Sequence, residues 1–267
     1  INQQYLNAYM NRGNSKGDLG DHQGAISDLN KAIEIDPLDP KPYYNRGHVK
    51  TESSDHRGAI TDFTRALEIN PNYPDANRRR AYAKYELEDY QGAIVDCNMA
   101  IKINPDDALA YSLRGYLKGG LGDYQGEIAD YSKSIEIYSN TTDFDPEIKS
   151  AYYNRGLAKM DSKAFQGAIA DFSRLIQIDP QHANGYYSRG YAKYELEDYQ
   201  GAIYDLNKAI EIDPQYADAY EVRGVLKLNA GNLRKGCIDT HKAASLGHKG
   251  AINKLKMKTL EWCRNMR

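Results

Sequence analysis

The chain has 267 residues, 41% of them hydrophobic and 27% charged, and a formal net charge of -2. That balance allows a large core or a repeat array, and it excludes a general binder of nucleic acid or anionic membrane. No apolar run reaches membrane-spanning length and the first residues carry no signal-peptide pattern, although a start at Ile1 leaves room for a removed export signal.

From the amino terminus onward one element recurs. Arg12-Gly13 begins a series continued by Arg46-Gly47, Arg80-Ala81, Arg114-Gly115, Arg155-Gly156, Arg189-Gly190 and Arg223-Gly224, in steps of 34 residues with one step of 41 after Arg114. A second series keeps the same beat: Asp36-Pro37, Asn70-Pro71, Asn104-Pro105, Asp145-Pro146, Asp179-Pro180 and Asp213-Pro214. Two series with one period and one shared slip mark tandem repeats. Within each repeat the spacing predicts two helices. In 149–182, Tyr152, Gly156 and Lys159 lie on the first, and Ala168, Phe172 and Leu175 follow at helical spacing on the second. Small residues let the two helices approach, and the proline closes the second. One hairpin cannot bury its apolar face alone, so neighbours must stack.

These residues resemble the tetratricopeptide repeat (TPR), with an aromatic at repeat position 4, small residues at 8 and 20, Ala at 27 and Pro at 32. The resemblance implies an all-α fold, a TPR α-α superhelix, which is a right-handed solenoid of antiparallel helix pairs. It places seven repeats at 6–39, 40–73, 74–107, 108–141, 149–182, 183–216 and 217–250, with 139–145 as an extra turn after the fourth. The remaining 251–267 matches the family's C-terminal solvating helix, with Leu255, Leu260 and Trp262 as candidates to cover the last open face. Its Lys254, Lys256, Lys258, Arg264 and Arg267, against only Glu261, read as a basic helix end favoured by the dipole.

The chain departs from the family pattern at regular places. Position 7, usually Leu, is Arg in every repeat (Arg12, Arg46, Arg80, Arg114, Arg155, Arg189, Arg223), and position 11 is Lys (Lys16, Lys50, Lys84, Lys118, Lys159, Lys193, Lys227). Position 23 is Asp throughout: Asp28, Asp62, Asp96, Asp130, Asp171, Asp205 and Asp239. The expected arrangement is a ladder of ion pairs pinning helices together, because a phosphate-binding stripe would leave the carboxylates unexplained. Glu127 stands where a small residue belongs, and Leu175 is oversized at position 27. Glu127 and the following insertion in one repeat point to a local change of pitch.

Catalytic, cofactor and metal sites are not expected. Gly119, Gly120 and Gly122 fall where a turn between helices is expected, not in a phosphate-binding loop. Cys97, Cys237 and Cys263 are odd in number and far apart, which implies no disulfide framework and favours a reducing, cytoplasmic compartment. Cys237 and His241, four apart, read as a small core thiol beside a surface histidine. The acceptor pattern Asn140-Thr141-Thr142 reads as a chance triplet.

In this family, positions 2, 5, 9 and 12 of the first helix line the concave face. By that resemblance the peptide-binding residues are Tyr44, His48, Arg78, Tyr82, Tyr85, Tyr116, Tyr153, Tyr187, Tyr191 and Tyr194. Asp161, Glu195 and Asp218 flank the last group and favour a client with apolar anchors and basic flanks. Tyr9, Tyr43, Tyr111, Tyr152, Tyr186 and Tyr220, at position 4, are packing. Chaperone-tail-binding relatives grip a terminal carboxylate with five polar residues. Asn14, Asn45 and Arg79 match that pattern, while Met10 and Asp75 occupy the two lysine positions and leave the clamp partial. The expected function is a monomeric protein-interaction scaffold holding a client peptide in its groove, with no nucleic-acid partner. The alternative is an assembly factor docking onto a larger, membrane-associated complex through its edges or basic terminal helix. The repeats are similar to those of bacterial, notably cyanobacterial, TPR proteins, some concerned with photosystem assembly.

Overall fold

A computed structural model of the chain describes residues 3–73, 75–141, 146–257 and 263. Among them there are fifteen helices and no strand. The chain divides into two compact blocks, Ile1–Thr141 and Thr142–Arg267. The amino-terminal block holds α1 (Gln3–Asp18), α2 (His22–Ile35), α3 (Pro40–Glu52), α4 (His56–Ile69), α5 (Ala76–Tyr85), α6 (Tyr90–Ile103), α7 (Ala108–Gly120) and α8 (Tyr124–Thr141). The carboxy-terminal block holds α9 (Pro146–Asp161), α10 (Phe165–Ile178), α11 (Ala183–Glu195), α12 (Tyr199–Ile212), α13 (Ala217–Asn229), α14 (Leu233–Ser245) and α15 (Lys249–Lys256).

Many of the helix boundaries have a local cause. Asp21, Asp55, Asp89, Asp123 and Asp198 cap second helices by accepting the N–H of Gly24, Gly58, Gly92, Gly126 and Gly201. A Cβ on any of those glycines would run into the capping carboxylate, which accounts for the repeated Asp-x-x-Gly. At the other end Asp36, Asn70, Asn104, Asp179 and Asp213 accept the N–H two residues on, across the proline that has no N–H of its own. The turn inside each repeat puts position 15 in the left-handed region: Gly20, Gly122 and Gly231, but also Ser54, Glu88, Lys163 and Glu197.

Two corrections concern the fourth repeat. Residues 139–141 do not form a turn; they extend α8 to 18 residues, against 14 in α6 and α10. The Asx-Pro stop that follows α2, α4, α6, α10 and α12 is displaced to 145–146 in the sequence, and Ile135, Ile137 and Tyr138 keep burying apolar surface up to the extension. Residues 142–145 lie outside the described residues. Gly119 and Gly120 close α7, and only Gly122 sits in the turn. Gly119 has a packing reason, because a Cβ there would overlap the Glu127 carboxylate. The oversized Glu127 is thus met by a missing side chain opposite.

The same size matching runs through the core. Position 8 faces position 24 within a repeat. Gly47 lies under Phe63 and Gly156 under Phe172, where an added Cβ would come within 2.9 and 2.5 Å of the rings. Repeat three reverses the sizes, with Ala81 over Cys97, both fully buried. Leu175 is matched across a repeat boundary by Gly185, whose Cβ would lie 3.0 Å from it. Gly156→Ala is therefore expected to cost about 1–3 kcal/mol by overpacking. In a Phe172→Cys background, which copies repeat three, the same change should cost much less. Urea midpoints of the variants decide it, and equal losses in both backgrounds would refute the size match.

Only the start of the expected terminal helix lies within the described residues, with 258–262 and 264–267 outside them. α15 spans eight residues, packs on α14, and buries Ala251. Leu255 is half-buried, while Leu260 and Trp262 lie outside the described residues.

Candidate binding face

The first helices of successive repeats touch one another: α1 with α3, α3 with α5, α5 with α7 in one block, and α9 with α11 in the other. Among the described residues no second helix makes comparable contact with the next, so first helices line the tighter, inner side of each stack.

The charged positions that could have covered this side are turned into the packing instead. In each repeat the Arg at position 7 grips the Asp at 23 through Nε and one Nη, with Nη–Oδ distances of 2.5–2.7 Å. The Lys at 11 reaches the same carboxylate at 2.7–2.9 Å. The seven aspartates are at most 4% exposed. Each is a buried anion between two cations, held by charge-assisted bonds that fix one geometry. The second Nη of Arg46, Arg80, Arg114, Arg189 and Arg223 donates to Asn30, Thr64, Asn98, Ser173 and Asn207 in the preceding repeat. The ladder thus links helices within a repeat and repeats to one another. The hydrogen bonds from Arg12, joined by Lys16 and opposed by burial, hold the Asp28 carboxyl down to about 2. A depressed acid stabilises above its unfolded value, near about 4, and loses that contribution as pH falls toward its folded one.

Position-4 tyrosines lie under these guanidinium groups, 5.3–5.7 Å from ring centre to Arg Cζ in six repeats. Repeat three has the buried Asn77 there.

The tyrosines expected on the inner side gather in three places. Tyr44 packs on Tyr73 at 5.0 Å and on Phe63. Tyr82, Tyr85 and Tyr116 form a second group, with Tyr85 and Tyr116 edge to face at 5.5 Å and their hydroxyls 3.4 Å apart. That hydroxyl contact, together with burial, pushes the Tyr85 phenol up to about 12. In the carboxy-terminal block Tyr187, Tyr191 and Tyr194 follow one another at 6.4 and 5.9 Å, while Tyr153 leans on His182. Tyr82, Tyr116 and Tyr191 are the exposed members, at 44%, 52% and 37%. Burial pushes the Tyr187 phenol up to about 12, so this ring stays neutral at working pH. Arg78 is less free than expected, ion-paired to both Asp75 and Asp107 at 3.1 Å.

Sequence reasoning missed Tyr73, His182 and Tyr216, all at position 34. Tyr216 stacks on Tyr187 at 4.9 Å, closer than any pair expected in that group. The signal was available in the period, as an aromatic recurring at the last position of repeats two, five and six.

Asn14, Asn45 and Arg79 line one cavity of about 330 Å³, together with Tyr44, His48, Asp18 and Glu52. Burial, then the Arg79 charge, lowers the His48 pKa, and its Nδ1 lies 3.6 Å from Glu52. Arg79 Nε is buried and unpaired among the described residues. Met10, at one of the two lysine positions, is 8% exposed and belongs to the core.

The cysteine reading is overturned. Cys237 on α14 is bridged to Cys263, so the count gives no support to a reducing compartment. Two spaced cysteines were legible, but their pairing depends on where the chain goes after α15. His241 Nε2 lies 2.9 Å from the Cys263 carbonyl oxygen, which gives that histidine a structural partner. Cys97 remains a free, buried thiol, pushed up to about 12 by burial. Among the described residues no group of three His, Cys, Asp or Glu is placed to hold a metal, and no helix is long and apolar enough to cross a membrane.

Family models described as TPR or tetratricopeptide repeat match residues 13–53, 50–116, 120–183 and 160–227. The chain belongs to the tetratricopeptide-repeat family. Its TPR fold is similar to a tetratricopeptide repeat protein from Parabacteroides merdae, with TM-score 0.65 and 22% identity over 98% of this chain and 100% of that one. The C-terminal part of a TPR protein from Cytophaga hutchinsonii gives TM-score 0.77 at 19% identity, over 93% and 100%. YrrB, described as a TPR protein with an unusual peptide-binding site, gives 0.61 at 21%, over 77% and 98%. No curated protein sequence matches the chain. TPR arrays generally serve as protein-interaction scaffolds.

Proposed function

We propose that the inner faces of this TPR protein hold an extended or helical segment of a client protein. The observation that carries the reading is the run of rings from Tyr187 through Tyr191 to Tyr194, backed by Tyr216 and Tyr153. A rigid phenol offers a broad apolar contact and a polar tip at low entropy cost. The peptide-binding site in YrrB's description lends the reading support by analogy of fold alone. In the amino-terminal block, Tyr44, His48, Arg78, Tyr82, Tyr85 and Tyr116 are the corresponding contacts, and the cavity at Asn14, Asn45 and Arg79 would take a polar group of the client. The alternative is docking through the edges or the basic terminal helix, where Lys256 on α15 is exposed and Lys254 is engaged by Glu221, while Lys258, Arg264 and Arg267 lie outside the described residues.

The test is capture of the native partner from lysate by the intact chain and by variants. Truncating a dominant aromatic anchor typically costs about 2 kcal/mol or more, roughly thirtyfold in affinity. Tyr187→Ala with Tyr191→Ala should therefore abolish capture, and because Tyr187 also packs on Tyr216, the exposed Tyr191→Ala alone should weaken capture while the melting temperature barely moves. Retained capture by the double variant, with release by changes in Tyr204 and Ile238 on second helices, would refute the inner-face reading.

A further inference from the structure

The three first helices of the carboxy-terminal block, α9, α11 and α13, carry seven cations. All are engaged: Lys149 by Asp179, Arg155 and Lys159 by Asp171, Arg189 and Lys193 by Asp205, Arg223 and Lys227 by Asp239. The partners Asp171, Asp205 and Asp239 sit on the second helices, so the cations lean into the packing and away from the inner side. The same three helices keep carboxylates that no Lys or Arg neutralises among the described residues: Asp161, Glu195 and Asp218. Asp161 and Glu195 are exposed and occupy one register position in adjacent repeats, and Asp218 is half-exposed, with His248 at 3.4 Å as its ion-pair contact among the described residues. Two of these acids adjoin the aromatic run. Glu195 acts on Tyr191 through charge and a hydrogen bond, and Asp218 acts on Tyr187 through charge; both phenols are shifted upward, with burial the larger cause.

The amino-terminal block is built differently. There Arg79 lines the inner cavity with its Nε unpaired, and Lys41 on α3 has no ion-pair partner among the described residues. A cation thus stands beside the carboxylates on that side, and the charge complement is mixed.

We propose that the inner face of the carboxy-terminal block takes a basic segment, with arginine or lysine groups lying over Tyr187, Tyr191 and Tyr194 against Glu195 and Asp218. The proposal rests on the reading of that face as a client site and specifies the client's charge. Phenol faces attract a cation, and fixed carboxylates at their rim complete its neutralisation. An acidic segment would meet three uncompensated carboxylates and no available cation on these helices. A purely apolar helix would bury Glu195 and Asp218 with no Lys or Arg to neutralise them among the described residues.

The experiment uses the full chain and three fluorescent peptide pools. These are the same mixture of apolar residues with alternate positions held as arginine, glutamine or glutamate. The arginine pool should bind best by anisotropy, weaken as salt is raised, and lose about tenfold in affinity with Glu195→Gln plus Asp218→Asn. Those exposed substitutions should leave the melting temperature unchanged, and the same pool should be insensitive to Asp18→Asn in the other block. Glutamine or glutamate pools binding as well as the arginine pool would overturn the charge assignment while the client-site reading stands. An arginine pool indifferent to the Glu195 and Asp218 changes would also overturn it. Binding of none of the pools would overturn both.

Discussion

Asp205→Ala is expected to destabilise the carboxy-terminal block by about 3–5 kcal/mol, the cost of removing one partner from a buried charge group. Asp205 is fully buried and accepts two bonds from Arg189 and one from Lys193. Without it two cations, only 16% and 19% exposed, face each other with no anion between them. Arg189→Ala should cost less, since Lys193 still neutralises the aspartate, although the bond to Ser173 is lost as well. Chemical denaturation of the two single variants and the double variant gives the coupling. Losses that add within about 0.5 kcal/mol would mean the repeated charges act independently.

Opening the Cys237–Cys263 bridge is the second large effect. The partners are 26 residues apart in sequence, and closing a loop of that length is worth about 3–4 kcal/mol in the chain-entropy account. Cys263→Ser, or mild reductant on the unaltered chain, should lower the unfolding midpoint of the carboxy-terminal block and leave the other block untouched. Cys97 serves as an internal control, because its buried thiol should resist alkylation until the chain unfolds. Two thiols reacting in the native, unreduced protein would show the bridge to be open.

The repeat and its register were legible because two residue series carry the same period, and each member does a local job. The Asp or Asn before proline makes the turn, and the small residue at position 8 admits the second helix. The ion ladder was legible too, since three charged positions in constant register are hard to explain singly. What escaped was whatever depends on contact across the repeat. Position 34 lies in a connection, so nothing local marks Tyr73, His182 and Tyr216 as neighbours of Tyr44, Tyr153 and Tyr187, far earlier in the same repeats. The insertion read as a turn because a family repeat ends there, yet no stop signal stands before Pro146. Glu127 looked like a defect until Gly119 came opposite it. Which face meets a client was inferred from the family's geometry, and the inner location of the rings could not be read from composition.

The size matching described for positions 8 and 24 sets the rules for recombination. Where both partners lie in one repeat, as with Gly156 and Phe172 or Ala81 and Cys97, the repeat carries its own fit and could be exchanged between positions as a cassette. The Leu175–Gly185 match works otherwise. It spans the seam between repeats five and six, so an unequal crossover there would set Leu175 against the alanine or proline found elsewhere at that position. Repeats five and six should therefore be inherited, or grafted, as an indivisible pair.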